Sequence, residues 1–231
     1  MNLVYCFRRS FTFFCAAANG VARWVAVGAL TVVSLAGCSI LPESTPQRVY
    51  QLPDAPVPSA HADIPADTAP SLRVLMPSSP LILASNRILV MSNPNELAAF
   101  KGVRWSDPMP QLFQRRLVSY LRESNNWRVV TADGTPLAGD YQLILSLAQF
   151  HAVRMPGQTP RVEIRVDAIL GNRETNKAIA GRTFTETALA ESEAFDALLN
   201  AYGEAGNVLA GKISFNVVAL KVHQVLTRPP S

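Results

Sequence analysis

From Ser71 onward, apolar positions recur with a period of two over most of the chain and with a helical period over two stretches. Ser71-Leu72-Arg73-Val74-Leu75-Met76 reads as a strand stopped by Pro77 and Pro80. In residues 86–91, Ile88 and Val90 share one face and Leu89 and Met91 the other. Ser92-Asn93-Pro94-Asn95 is a turn, and residues 96–100 form the returning arm of a hairpin ahead of Lys101-Gly102. Residues 127–131 are a short strand, followed by a turn at Asp133-Gly134-Thr135-Pro136. Tyr141, Leu143, Leu145 and Leu147 then alternate with Gln142, Ile144, Ser146 and Ala148, a pattern apolar on both faces that predicts a central strand. Val162, Ile164, Val166, Ala168 and Leu170 alternate with Arg161, Glu163, Arg165 and Asp167, which gives a strand with one wet face. Residues 171–176 turn it and 177–187 return. An isolated alternation at Arg48-Val49-Tyr50-Gln51-Leu52 predicts a first strand well ahead of the others.

The first helical stretch follows Trp105-Ser106-Asp107-Pro108. Ser106 or Asp107 can cap it, and Pro108 suits the first turn, where its missing N–H costs nothing. Met109, Leu112, Phe113, Leu117, Tyr120 and Leu121 make the apolar face; Gln111, Gln114, Arg115, Ser119 and Arg122 make the opposite one, with an end at Asn125-Asn126. The second helix is capped by Ser192 and carries Phe195, Leu198, Leu199, Tyr202, Ala205, Leu209 and Ile213 as its stripe. Gly203, Gly206 and Gly211 each cost that helix about 1 kcal/mol relative to alanine. They predict close packing on the sheet, or a break near Gly203. The whole predicts an α+β fold: one mixed, mainly antiparallel sheet with two main amphipathic helices packed on it. Residues 71–220 would form that domain, and 221–231 a frayed tail.

The first 70 residues obey neither period. Trp24 to Leu35 is a 12-residue apolar run, too short for a hydrocarbon core that needs about 20 residues of helix. It leads into Leu35-Ala36-Gly37-Cys38, a bulky aliphatic, two small residues and a cysteine. That is the pattern of a lipobox, where small side chains admit a peptidase between Gly37 and Cys38 and the Cys38 thiol takes up a diacylglyceryl group. Arg8, Arg9 and Arg23, with no acidic residue, supply the positive start of an export signal. At 37 residues this leader is long, so its n-region is extended or translation begins later, at Val21. Residues 38–70 then form the lipidated tether, the first strand and a linker holding Pro53, Pro56, Pro58, Pro65 and Pro70, a composition of extended chain. If the first strand joins the sheet, the tether shrinks to the nine residues 39–47 and the domain sits against the bilayer. A domain beginning after Pro70 is expected to fold without the leader and linker, unless residues 48–52 are an integral strand.

Cleavage leaves 194 of the 231 residues and lowers the net charge from +4 to +1 by removing three arginines. No basic run with interleaved aromatics remains, which argues against a nucleic-acid partner. Cys6 and Cys15 lie in the leader and Cys38 is consumed by acylation, so apolar burial alone must hold the domain together in an oxidising compartment. Ser39 after the cysteine favours the outer membrane under the common sorting rule.

Candidate chemistry is sparse. His61 sits in the linker and reads as a solvated histidine; His151 follows a strand and His223 lies in the tail, and neither of these two has a metal-ligand partner at i+2 to i+4. There is no G-x-S-x-G elbow and no Gly-rich phosphate loop. Glu163 and Asp167 share a strand face with Arg161 and Arg165, a pattern of cross-strand ion pairing rather than acid–base work. No catalytic residue, metal or cofactor is expected beyond the covalent lipid on Cys38. Lys101, Arg104 and Trp105 are candidate partner contacts, because Trp and Arg are enriched at hot spots; the competing reading of Trp105 is core packing at the start of the helix.

The lipobox, the Tyr50-Gln51-Leu52 strand, Arg87-Ile88-Leu89-Val90, Val103-Arg104-Trp105-Ser106-Asp107-Pro108, the helix through Leu121, residues 143–150 and the late amphipathic helix occur in an order that resembles the ABC-type transport auxiliary lipoproteins, of the paraquat-inducible protein C-like kind. The resemblance implies a periplasm-facing domain held to a membrane by its lipid. Its expected partners are an MCE-domain (mammalian-cell-entry) protein and an ABC transporter permease and ATPase, in moving lipid across the bacterial envelope, with a homo-oligomer also compatible. The other readings are a periplasmic lipid- or small-ligand-binding lipoprotein, whose strand faces would enclose a cavity, and an outer-membrane assembly lipoprotein.

Overall fold

Nine strands and two helices succeed one another in a computed structural model that describes residues 46–54, 69–137 and 139–227, with side chains through 219. They are β1 (Arg48–Tyr50), β2 (Ser71–Val74), β3 (Leu89–Asn93), β4 (Glu96–Ala99), β5 (Val103–Trp105), α1 (Met109–Glu123), β6 (Val129–Ala132), β7 (Tyr141–Val153), β8 (Arg161–Asn172), β9 (Lys177–Leu189) and α2 (Phe195–Thr227). The leader, the lipobox, most of the proline-rich linker with His61, and the last four residues lie outside the described residues.

The central place expected for β7 holds, for a reason of pairing as much as of composition. Along one edge β8 runs antiparallel over its full length, from Tyr141↔Asn172 to Val153↔Arg161. Along the other, residues 71–91 meet β7 twice in parallel. β2 pairs at Leu72↔Tyr141 through Val74↔Leu143, Ser78 bridges to Ser146, and β3 rejoins at Val90↔Ala152. Outside these lie β6 on β2, β4 on β3 and β9 on β8, giving one seven-stranded mixed sheet. The β3–β4 hairpin turns where the sequence places it, with Asn95 at φ +62°, and the β8–β9 hairpin turns through Asn176 at φ +51°. One face of β7 is fully covered: Leu143, Leu145, Leu147 and Phe150 are buried. Ile144 on the other face is 43% exposed and pairs with Ile169, so that face is not closed over as the alternation suggested. Arg161 pairs with Glu163 on its own strand at 2.8 Å, an i,i+2 contact in place of the expected cross-strand one.

Both helices lie on the buried face. Every residue of the expected α1 stripe is buried, and Gln114, assigned to the polar side, is buried as well: its Nε2 donates to the Val74 carbonyl at 3.1 Å. The capping expected of Ser106 or Asp107 does not occur. Pro108 is the N-cap, with no side-chain hydrogen bond, and Pro110 occupies the first turn. The Asp107 carboxylate accepts from Arg115 at 2.7 Å and from the Ser106 hydroxyl at 3.0 Å instead, which holds its pKa below the usual carboxylate range. α1 ends one residue before Ser124, and Asn125 turns the chain in the left-handed region at φ +51°. Ser192 does not cap α2; its hydroxyl closes a turn to the Ala194 N–H three residues before the helical stripe begins to bury. α2 is unbroken at Gly203 and continues through residues 221–227, where a frayed tail was expected. Among the described residues no helix is long and apolar enough to cross a membrane.

The core centres on Tyr202. Its ring stacks on Phe150 with centroids 5.6 Å apart, meets Trp105 edge-on at 5.3 Å, and its hydroxyl donates to the Leu89 carbonyl. Burial raises the Tyr202 pKa, so the hydroxyl keeps its proton and this bond at any physiological pH.

His151 lies within β7, which extends past the expected strand end to take it in; it is 4% exposed, and among the described residues its Nε2 has no hydrogen-bond partner. Burial pushes its pKa down, more than Glu163 across the ladder pushes it up. An unfolded chain therefore takes up this proton more readily than the fold does. The stability His151 allows is complete above its unfolded pKa, about 6.5, and falls as pH drops below it. Urea midpoints measured from pH 7.5 to 5 should decline, and His151→Leu should flatten that decline. The carboxylates held low (Asp107, Asp133 and Asp140) act only below about pH 4. Parallel pH curves for parent and variant would contradict this assignment.

Candidate functional site at the N-terminal segment

The candidate site is where the chain first enters the fold. β1 pairs in parallel with β5, Arg48↔Val103, Val49↔Arg104 and Tyr50↔Trp105, and the ladder is closed at both ends: Arg48 N–H donates to Gly102 O at 2.9 Å and Ser106 N–H to Tyr50 O at 2.7 Å. Three short residues could not hold by themselves, so the side chains matter. The Tyr50 ring lies 5.1 Å from that of Phe195 at the start of α2, which also takes Phe100 at 5.3 Å, and the Arg48 guanidinium sits 6.0 Å from the Tyr50 ring centre. Leu52 is 6% exposed and packs beside Gly206. A Cβ on Gly203 would stand 2.7 Å from the Pro53 Cβ and 3.0 Å from its carbonyl oxygen. The α2 glycines therefore do serve close packing: Gly203 against Pro53, Gly206 against Leu52 and Phe150 of the sheet, and Gly211 against Tyr120 of α1.

Arg116 locks the arrangement. On α1 it falls four residues after Leu112 and four before Tyr120, inside the apolar stripe, and it is 7% exposed. Its Nη2 donates to the carbonyls of Leu52 at 3.0 Å and Pro53 at 2.9 Å, its Nη1 to the buried Asn207 of α2, and it pairs with the exposed Asp54. One guanidinium thus joins α1, α2 and the incoming segment, and supplies donors to backbone oxygens that have no strand partner. Beside it opens a polar cleft of about 480 Å³, with Gln51, Asp54, Asp107, Arg115 and Ser119 on its walls.

Of the residues singled out in the sequence, Gly37 and Cys38 lie outside the described residues. Lys101 and Arg104 are exposed, on the β4–β5 turn and on β5. Trp105 is not a surface residue: it is 1% exposed, and its place is the core contact with Tyr202. Arg116 and Asn207 went unread. An arginine at i+4 from Leu112 and i−4 from Tyr120 was the available signal for the first; nothing local marks the second. Among the described residues no group of three or more His, Cys, Asp or Glu side chains could hold a metal ion.

This geometry defines a class, an α+β domain gripped by its own N-terminal segment. The sequence profile of the family described as ABC-type transport auxiliary lipoprotein component matches residues 50–214, and the chain belongs to that family. It is thus an auxiliary lipoprotein component of ABC-type transport, in a lipoprotein family of the cell envelope. The fold is similar to the crystal structure of a Xanthomonas campestris protein of family DUF330 (TM-score 0.64, 21% identity, 79% of this chain and 98% of that one). It is also similar to an uncharacterized protein structure (TM-score 0.58, 18% identity, 74% and 99%). No curated protein matches the chain in sequence.

Two substitutions test the grip. In an exposed helix Gly→Ala stabilises by about 1 kcal/mol, whereas Gly203→Ala should destabilise by about 1–3 kcal/mol through overpacking against Pro53. Arg116→Met should cost about 3 kcal/mol, because buried acceptors lose their donor. Urea unfolding gives both values, and limited proteolysis should cut both variants within residues 46–54 faster than the parent. A stabilised Gly203→Ala would show that Pro53 does not press on α2.

Proposed function

We propose that this protein is a docking component of an ABC/MCE-type lipid transport system, acylated on Cys38 after cleavage at Gly37 and held at the outer membrane facing the periplasm. The observation that carries the reading is the grip on residues 48–54. A chain fixed from Arg48 onward leaves nine residues, 39–47, between the lipid and the fold. At about 3.3–3.6 Å per residue they reach at most roughly 30 Å. A domain on so short a lead stays beside its membrane, which suits an adaptor that presents a surface to an MCE-domain protein and its permease and ATPase. Lys101 and Arg104, exposed next to β1, are the contacts we assign to that surface.

The carrier reading finds less support. Among the described residues the apolar face of the sheet is covered by α1 and α2, and an apolar cavity between β8, β9 and α2 holds about 240 Å³. Ligand pockets ordinarily hold about 300–1,000 Å³.

Cys38→Ala should abolish labelling by radioactive palmitate; a labelled variant would remove the anchor. Capture of the tagged lipoprotein from envelope extracts should recover an MCE-domain protein. Lys101→Glu with Arg104→Glu should reduce that recovery about tenfold at an unchanged unfolding midpoint. Lipid recovered in stoichiometric amount without any protein partner would favour the carrier.

A further inference from the structure

β9 is an edge strand 13 residues long, and among the described residues it pairs with β8 alone. Natural edges of that length are blunted with proline, lysine or a bulge, because unpaired backbone groups recruit other strands. From residue 180 to 189 β9 has none of these, and its two charged residues, Arg182 and Glu186, are of opposite sign and so complement rather than repel a second copy. Its only irregularity falls at Leu170/Gly171, near its start.

The phase of the β8–β9 ladder says which groups are free. The Ala190 N–H donates to Pro160 O at 2.8 Å, so the hydrogen-bonded pairs run through Val162↔Ala188, Ile164↔Glu186, Val166↔Phe184 and Ala168↔Arg182. The backbone N–H and C=O of Gly181, Thr183, Thr185, Thr187 and Leu189 therefore point away from the sheet. Any antiparallel partner strand must place its own outward groups opposite these.

We propose that β9 is a self-pairing edge: two copies join β9 to β9, antiparallel about Phe184, into one continuous sheet. Only registers that set odd residues opposite odd ones satisfy the free backbone groups, and side chains choose among them. Centred on Phe184, Thr183 faces Thr185, Gly181 faces Thr187 and Ala180 faces Ala188. Arg182 faces Glu186 twice. Centred one residue earlier, Glu186 faces Ala180 and Arg182 faces Phe184; one residue later, Glu186 faces Phe184 and Arg182 faces Ala188. In both, the charges lose their counterparts. Across the Phe184 register the opposed charges add to the contacts each makes in its own chain, Arg182 with Asn216 and Glu186 with Lys212. Opposite-charge and Thr–Thr cross-strand pairs are favourable on a sheet. β9 pairs with β8, whereas β1 pairs with β5, so the free edge and the assigned docking contacts are on different strands.

The test is register-specific cross-linking of the full lipoprotein in its native membranes. Thr183 and Thr185 of opposed strands would stand about 5.5 Å apart between Cα atoms, within the disulfide range of about 4.4–6.8 Å. Like residues would be diagonal neighbours at about 7–8 Å. A chain carrying Thr183→Cys, co-expressed with one carrying Thr185→Cys, should oxidise to a linked pair at least tenfold more than either chain alone. The parent chain controls for its native cysteines. Arg182→Glu should lower the linked fraction, and Arg182→Glu with Glu186→Arg should restore it. Equal linkage in the single variants, no linkage in the mixture, or links only to a different protein would overturn the proposal.

Discussion

The Arg116 guanidinium is buried where two helices and an incoming strand meet, and the position of residues 52–54 follows from how its charge is satisfied. A buried cation is tolerated only with a full set of acceptors. Here two of them are carbonyls of Leu52 and Pro53, the stretch where β1 has ended and no ladder partner remains. The third comes from Asn207 on α2. Removing the incoming segment would therefore expose the apolar bed of Leu52 and leave the arginine with Asn207 alone of these three acceptors. An N-terminal strand of three residues becomes part of the fold on those terms.

The same constraint explains the glycines of α2. Their intrinsic penalty in a helix is set against the approach of Pro53 to Gly203 and of Leu52 to Gly206, contacts a larger residue would block. The helix can then lie close enough for Asn207 to meet Arg116 and for Tyr202 to reach between Trp105 and Phe150. Packing at the N-terminal segment and packing of the aromatic core are consequently one arrangement.

The elements with a clean period were readable from the residues: the β3–β4 hairpin, α1, β8, β9 and the first strand fall close to their expected bounds, while β7 runs five residues past its expected end at Ala148 and takes in His151. What escaped was whatever depends on a distant partner. Arg116 looks like an ordinary helix cation until Leu52 and Pro53 arrive from more than 60 residues away. Gln114 was placed on the wet side because its acceptor, the Val74 carbonyl, belongs to another strand. Ser106 and Asp107 have the chemistry of caps, but Arg115 competes for Asp107 and wins with a charged hydrogen bond. Trp105 has the composition of an interface anchor, and only the fold shows Tyr202 waiting for it. The parallel pairing of β2 and β3 onto one strand is likewise invisible to any local pattern.

For an auxiliary lipoprotein component, this fold makes residues 48–53 part of the packed domain, tied to β5, α1 and α2. Hydrogen exchange of the backbone amides of residues 48–52 in the full protein measures that tie most directly. The account predicts that Arg48 and its neighbours in the β1–β5 ladder exchange as slowly as the amides of β7 and β8, through global unfolding alone. Exchange of this segment within seconds, while β7 and β8 stay protected, would contradict it.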